Sequence, residues 1–246
     1  MIHPTAQVEP GAQIPDDAVV GAFTMIHGNV QLGHGATIQS HCSLGEPTPL
    51  AAGRPLVIGE AALIRSHSVL YEGSTYGAHL ETGHHVSLRE GVRAGENLRV
   101  GTGADVQGDC VIGDYVRFHS AVQVHKLSTI QDYVWIFPSS VLTNDPHPPS
   151  DGCLAGVTVE EFAVIAAMCC IAPGIRIGAR SLVAAASMVT HDVEPDTVVV
   201  GVPARAVGPT SSVRMRDGSG RSAYPWTAHF HRGYPAAVVG EWTVAT

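Results

Sequence analysis

The amino-acid sequence predicts an all-β fold, a coil of short parallel strands. Three observations carry that prediction. An apolar residue recurs every six positions, a small or β-branched residue recurs four positions after it, and glycine is abundant (27 residues) while aromatics make up only 6%. A six-residue period is even, so each repeat returns the same strand face to the interior. It does not fit the 3.6-residue turn of a helix, and so much glycine disfavours long helices.

The repeat runs from Ile2 to Leu44, from Ile58 to Leu142 and from Val159 to Val189, and 25 of its 29 hexads open with Ile, Leu or Val. The small slot holds Ala18, Thr24, Cys42, Ser68, Ala104, Cys110, Ser128, Cys169 and Ser181. Glycine often follows the opening residue, as in Val20-Gly21, Val100-Gly101 and Ile112-Gly113. Two segments break the count, 45–57 (GEPTPLAAGRPLV) and 143–158. Such loops add nothing to a coil core, and long loops in compact folds are often functional. The coil is expected to span 1–208. Residues 209–246 lack the repeat and gather Tyr224, Trp226, Phe230, Tyr234 and Trp242, which suits an end cap or an intersubunit arm.

Composition excludes several classes. A net charge of −8 gives no basic footprint for nucleic acid. No stretch approaches 18 consecutive apolar residues, so no membrane span is expected. The segment MIHPTAQVEPG lacks the basic and apolar regions of a secretion signal, so a cytoplasmic location is expected. Five cysteines without C-x-x-C spacing argue against a disulfide framework and a zinc knuckle. Three of them fill small slots, where cysteine packs as a small hydrophobe.

This pattern resembles the hexapeptide-repeat acyltransferases over about residues 1–208. The resemblance implies a left-handed parallel β-helix of about ten coils, 18 residues per coil, with triangular section. It also implies a homotrimer with sites between subunits. Residues 18 apart then stack in columns, and the columns can be read as surfaces.

VLTNDPHPP, at 141–149, is similar to the loop of N-acetyltransferases that act on nucleotide-linked amino sugars; Thr143, Asn144, Asp145 and Pro148 fit that pattern. The chain also resembles sugar-acetylating relatives in which a loop histidine is the base. Asp145 and Asn144 would orient the acceptor amine, and His147, two residues from the aligned position, is the candidate for the base's role. Imidazole is suited to that task because it titrates near neutral pH. One coil below, His125 is a second candidate base, and Lys126 stands where an acidic residue is expected. Lys126 is the only lysine in the chain; it suits a phosphate or carboxylate, or could balance Asp145. Thr143, Lys126, Arg89, Glu90, Glu72 and His84 are candidate acceptor contacts. Tyr71 stands in the same column as Arg89.

The run IGARSLVAAASMVTHDVEPDTVVVGVPARAVG resembles the coenzyme A end of the family. Ala167 and Ala185 would leave the surface open to a pantetheine arm, and Arg180 and Arg205 would meet its phosphates. His67 and His85 lie 18 apart and should stack, His41 joins them if the first loop preserves phase, and with His84 and His119 close by they suggest exposed turns or subunit contacts. No resident metal is expected. Glu96, Asp114, Asp132 and Glu161 form an acidic column expected to be a solvated face.

The sequence thus points to an acyl-CoA-dependent N-acyltransferase whose acceptor is a nucleotide-linked amino sugar. One alternative is an O-acyltransferase using acyl-CoA or acyl carrier protein. MIHPTAQVEPGAQI and GEAALIRSHSVLYEGS resemble sugar-nucleotide enzymes of that kind, though their coil histidine would fall near Glu96, where this chain has none. The same coil would also serve a zinc carbonic-anhydrase-like hydratase or a noncatalytic binding protein.

Overall fold

The computed structural model describes residues 1–150, 152–231 and 233–244. Asp151 in the second loop and Arg232, Ala245 and Thr246 in the tail lie outside them. Short strands, most of them two residues long, wind into a parallel β-helix with three faces of 11, 10 and 8 strands. In each coil the chain passes from the first face (beginning at Val19–Val20) to the second (Met25–Ile26) and the third (Val30–Leu32). Neighbouring strands pair in parallel, with residues 18 apart in register, as in Val106 with Val124 and Val124 with Leu142.

The two breaks in the repeat are insertions that keep phase. Leu44 pairs with Leu70 and Leu142 with Ile171, steps of 26 and 29 in place of 18. Both loops leave the same corner, between the second and third faces: one joins Ser43–Glu46 to Leu56–Ile58, the other Val141–Leu142 to Thr158–Val159. The first folds back on the coil through a 3-10 turn, Pro49–Ala51, which buries Ala51.

The interior is the repeat itself. Hexad-opening residues from Val20 to Val189 are almost all fully buried, and each buried Leu or Ile contributes about 1.5–3 kcal/mol. Hydroxyls in the small slot do more than fill space. Ser68, Ser74 and Ser128 donate to the carbonyls of Arg65, Arg89 and His125 at 2.7–2.9 Å, satisfying turn carbonyls that face inward. Cys110 occupies the same slot, its thiol on the Gly108 carbonyl, and burial pushes its pKa up to about 11. It packs rather than reacts. The glycine after the opening residue has a steric cause: a Cβ at Gly21 would come within 2.6 Å of the Ser40 amide nitrogen in the next coil.

The corners turn through left-handed residues. Phe23, His41, His67 and His85 share one such site, at φ between 55° and 62°. Repetition of the site stacks their rings at 4.7–5.1 Å. His41 therefore joins the column, as a phase-preserving first loop requires. The acidic column has a structural task as well. Asp114 accepts the Glu96 amide and Asp132 the Asp114 amide, each at 2.7–2.8 Å across adjacent coils.

The end of the coil is closed by Arg205–Pro209, which pairs antiparallel with Thr197–Val200. Of the two expectations for the tail, an end cap or an intersubunit arm, the rest of it does not lie across the end of the coil. It runs back along the first face. Trp226, Tyr234 and Trp242 pack with Tyr115, Tyr133, Trp135, Phe162 and Val164, and the tail ends in the helix Ala236–Val244. Tyr234 Oη accepts from Trp135 Nε1 at 2.7 Å, and Trp226 Nε1 donates to the Phe162 carbonyl. No helix among the described residues is long and apolar enough to cross a membrane.

The core and the histidine column each make a stability prediction. Among the described residues, the Tyr76 hydroxyl is the buried side-chain polar atom without a hydrogen-bond partner. Tyr76→Phe removes that desolvated group and is expected to stabilise the coil by about 1 kcal/mol in urea unfolding; a loss of stability contradicts this. Desolvation first, then the neighbouring His85, His41 and His84, lowers the pKa of His67 below its ordinary 6.5. The unfolded chain therefore takes up a proton on acidification before the folded one does. Stability present above about pH 6.5 is lost progressively as pH falls below that value and through the lower folded-state one. Burial acts on His119 in the same direction. The Tm is expected to drop between about pH 7.5 and 5.5, and to drop less in His67→Asn, since Asn tolerates the left-handed turn.

Candidate functional site

The corner from which both loops emerge collects most of the residues singled out in the sequence. Two columns climb it: Tyr71, Arg89, His125 and Thr143, and beside them Glu72, Glu90, Lys126 and Asn144. The parallel register of the second face puts them there, since Leu70, Leu88, Val106, Val124 and Leu142 pair in succession.

At the lower end, Glu72 fastens the first loop. Its carboxylate accepts from the Thr48 amide at 3.2 Å and from Asn29 Nδ2 at 3.3 Å. One coil higher, the Glu90 side chain is 1% exposed and is held between two cations, Arg89 Nε at 3.2 Å and Lys126 Nζ at 3.5 Å. Lys126 also reaches Asp109 at 3.4 Å, and the Arg89 guanidinium lies 5.5 Å from the Tyr71 ring centroid. Lys126 thus balances Glu90 and Asp109; its ion pairs do not include Asp145. A carboxylate so buried is stable only with its counter-charges in place.

His125 follows directly on the strand Gln123–Val124. Its amide donates to the Leu142 carbonyl at 3.0 Å and its carbonyl accepts from Ser128 Oγ at 2.7 Å, so a rigid backbone carries the half-buried imidazole. Above it, Thr143 Oγ1 donates to the Ile171 carbonyl at 2.7 Å. Asn144 is 9% exposed, and its carbonyl accepts the Ala155 amide at 2.8 Å, closing the neck of the second loop. Asp145 organises the loop itself: Oδ1 accepts the His147 amide at 2.9 Å and Oδ2 the Ser150 amide at 2.8 Å. His147 is exposed on that loop. Two imidazoles, one anchored and one on a loop, thus flank a polar corner that offers acid–base chemistry and a buried ion cluster.

The remaining sequence candidates lie on other edges. Ala167 (half-buried) and Ala185 (exposed) occupy the corner between the first and second faces. His84 is exposed at that corner, where its Nδ1 meets Ser66 Oγ at 2.8 Å. Arg180 lies at the third corner in a two-bond pair with Asp196, at 2.8 and 2.7 Å, which pulls the Asp196 carboxyl below its usual range. Arg205 donates to the Ala204 carbonyl and lines a cleft of about 510 Å³ with His191, Asp192, Glu194 and Thr197. One chain does not bring these groups to the loop corner. The histidine column stacks ring face on ring face, and no cluster of three His, Cys, Asp or Glu side chains suited to a metal occurs among the described residues.

Reading corners alone missed the first face. Glu81, Arg99, Arg117 and Trp135 stack in register there, each immediately before an inward residue. With Arg65 and His119 they line a second cleft of about 510 Å³. The signal was present in the sequence, as outward residues 18 apart.

No family model matches the chain. Over 130 residues it is 32% identical to the acyl-(acyl-carrier-protein)–UDP-N-acetylglucosamine O-acyltransferase of Saccharophagus degradans, covering 46% of this chain and 48% of that protein. Over 81 residues it is 36% identical to the 2,3,4,5-tetrahydropyridine-2,6-dicarboxylate N-acetyltransferase of Staphylococcus aureus, covering 33% of each. The chain thus spans about half the length, or less, of these curated relatives. Among solved structures, the UDP-N-acetylglucosamine acyltransferase of Arabidopsis aligns with a TM-score of 0.58 at 16% identity, covering 85% of this chain and 74% of that one. The UDP-N-acetylglucosamine acyltransferase from Campylobacter jejuni gives 0.56 at 17%, covering 100% and 82%. The β-helix is what the chain shares with both.

The ion cluster is testable apart from any activity. Lys126→Met leaves the Glu90 carboxylate buried with Arg89 alone, and is expected to cost about 1.5–3 kcal/mol in urea unfolding. Lys126→Arg should recover most of it. Equal stability of Lys126→Met and the parent chain would show that the cluster does not hold the corner together.

Proposed function

We propose that this chain is an acyltransferase that moves an acyl group from a thioester to a nucleotide-linked sugar, with the amino group of an amino sugar as acceptor. The observation that carries the proposal is the loop corner. There an imidazole on a rigid coil lies one coil beneath the neck of the second loop, beside a cluster of buried charge. The curated relatives support the class: one is named for acyl transfer to UDP-N-acetylglucosamine, the other for N-acetylation.

In this reading the acceptor amine attacks the thioester carbonyl, and an imidazole takes the amine proton as the new N–C bond forms. The tetrahedral intermediate then collapses with cleavage of the C–S bond, and the imidazolium returns its proton to the departing thiolate, so a free thiol leaves and the base is regenerated. His125 is the preferred base over His147, because a base must be held in place and His125 rests on a paired strand. Asp145 has both carboxylate oxygens committed to loop amides, so its part is to shape the loop that receives the sugar. Asn144 and Thr143 line the neck. Lys126 and Arg89, half-exposed above Glu90, are suited to acceptor phosphates.

The donor side rests on Ala167 and Ala185, whose small side chains leave room for a pantetheine arm, with Arg205 near the same end of the coil. Those alanines and the second loop occupy different edges of one prism. A neighbouring subunit would bring them together, so the active form is proposed to be a homotrimer with composite sites and acyl-CoA as donor. The second reading is O-acylation from acyl carrier protein, favoured by the O-acyltransferase name of the Saccharophagus relative.

Thiol release from acetyl-CoA with UDP- and dTDP-linked amino sugars tests the proposal. His125→Ala is expected to lower kcat by roughly 10²–10⁴-fold, the usual worth of a general base, with His147→Ala affected less. The reverse order moves the base to the loop. Mixing His125→Ala with Ala185→Trp chains should restore part of the activity if sites are shared between subunits. No turnover with any amino sugar, but turnover with an acyl carrier protein donor and a sugar hydroxyl, selects the second reading. No turnover with any thioester overturns both.

A further inference from the structure

The first face carries a feature that the loop corner does not use. Arg65, Arg99 and Arg117 line a cleft of about 510 Å³ whose one carboxylate is Glu81. Glu81 is shared, with Arg65 Nη2 at 2.8 Å and Arg99 Nε at 3.2 Å. Arg117 is 5% exposed and makes no ion pair among the described residues. Its guanidinium donates to the Asn97 side-chain oxygen at 3.4 Å and to the Gly233 carbonyl at 3.3 Å, and lies 5.2 Å from the Tyr234 ring centroid. Three guanidiniums thus line a cleft that holds one carboxylate. Such a surplus concentrates anions.

The cleft continues into an apolar slot of about 210 Å³ between the coil and the tail. Trp135 and Phe230 line both, and the slot is further lined by Phe137, Val164, Tyr224, Trp226 and His229. Half-buried His119 lies at the junction, its ring stacked on Phe137 at 4.4 Å, and burial lowers its pKa, so at neutral pH it adds little charge. The slot is below the size that holds a drug-like molecule, roughly 300 Å³ or more, so it suits a short acyl chain or one aromatic ring.

We infer that the first face binds a small amphipathic anion, its carboxylate or phosphate on Arg99 and Arg65 and its apolar part in the slot beneath Phe230. The tail supplies half of the slot, so the site exists only where the tail has folded back. It stands on a different face from His125 and does not depend on the acyl-transfer reading.

Trp135 and Trp226 flank the slot, so tryptophan fluorescence reports occupancy. Octyl phosphate and octanoate are titrated separately, with 1-octanol and inorganic phosphate as half-ligands. Saturable binding of either amphiphile is expected, about tenfold or more tighter than either half-ligand, and the tighter amphiphile identifies the head group. Arg99→Gln and Phe230→Ala should each weaken it about tenfold while keeping the parent Tm. Arg65→Gln serves in place of Arg99→Gln if that variant loses stability. No saturable change with either amphiphile overturns the site. So does 1-octanol binding as tightly as octyl phosphate, or unchanged affinity in both arginine variants.

Discussion

Everything in this molecule depends on the parallel ladder between successive coils. Each coil lays its amides against the carbonyls of the next, as in His125 to Leu142 and Gln107 to Val124. That ladder fixes an 18-residue register, and the register dictates the rest. It sends the same hexad position inward in every turn and brings backbones so close that only glycine fits beside them. It also repeats each corner residue directly above its predecessor. A slip of one residue would turn the whole apolar set outward. Both insertions obey this constraint, because eight or eleven extra residues leave at a corner and the strand after them resumes its place.

Stacking converts sequence period into surface chemistry. Where the repeated position is a left-handed turn, the result is a ring column such as His41, His67 and His85. Where it is an aspartate, each carboxylate caps an amide of the adjacent coil, and a face that looks merely solvated becomes part of the structure. Where it is a mix of Glu90, Lys126 and Arg89, the result is a buried ion cluster beside His125. The two loops rise from that same corner, so polar side chains gather along one edge while the small residues Ala167 and Ala185 stand on another.

The tail adds what a repeat cannot. A uniform coil offers convex faces and shallow corners, which enclose little. By folding Trp226, Phe230 and Tyr234 back against Trp135 and Tyr133, the tail builds an aromatic wall over the first face, and the arginine column beside it becomes one side of a cleft.

The sequence by itself determined the coil. A period of six, the small slot and the glycines are local rules obeyed in every repeat, so the β-helix, the phase-keeping insertions, the stacked histidines and the inert packing of Cys110 were all legible. What Asp145 bonds was not legible: its two oxygens take the His147 and Ser150 amides. Tertiary structure decided the rest. Lys126 pairs with Glu90 and Asp109, which lie 36 and 17 residues away in sequence. Arg180 is committed to Asp196, and Ala167 and the second loop stand on different edges of the prism. The tail doubles back instead of capping the end. The physical reason is the same in each case. A repeat specifies which residues share a column, whereas ion pairs between columns and the docking of an aperiodic tail depend on side-chain reach and surface shape, which no period encodes.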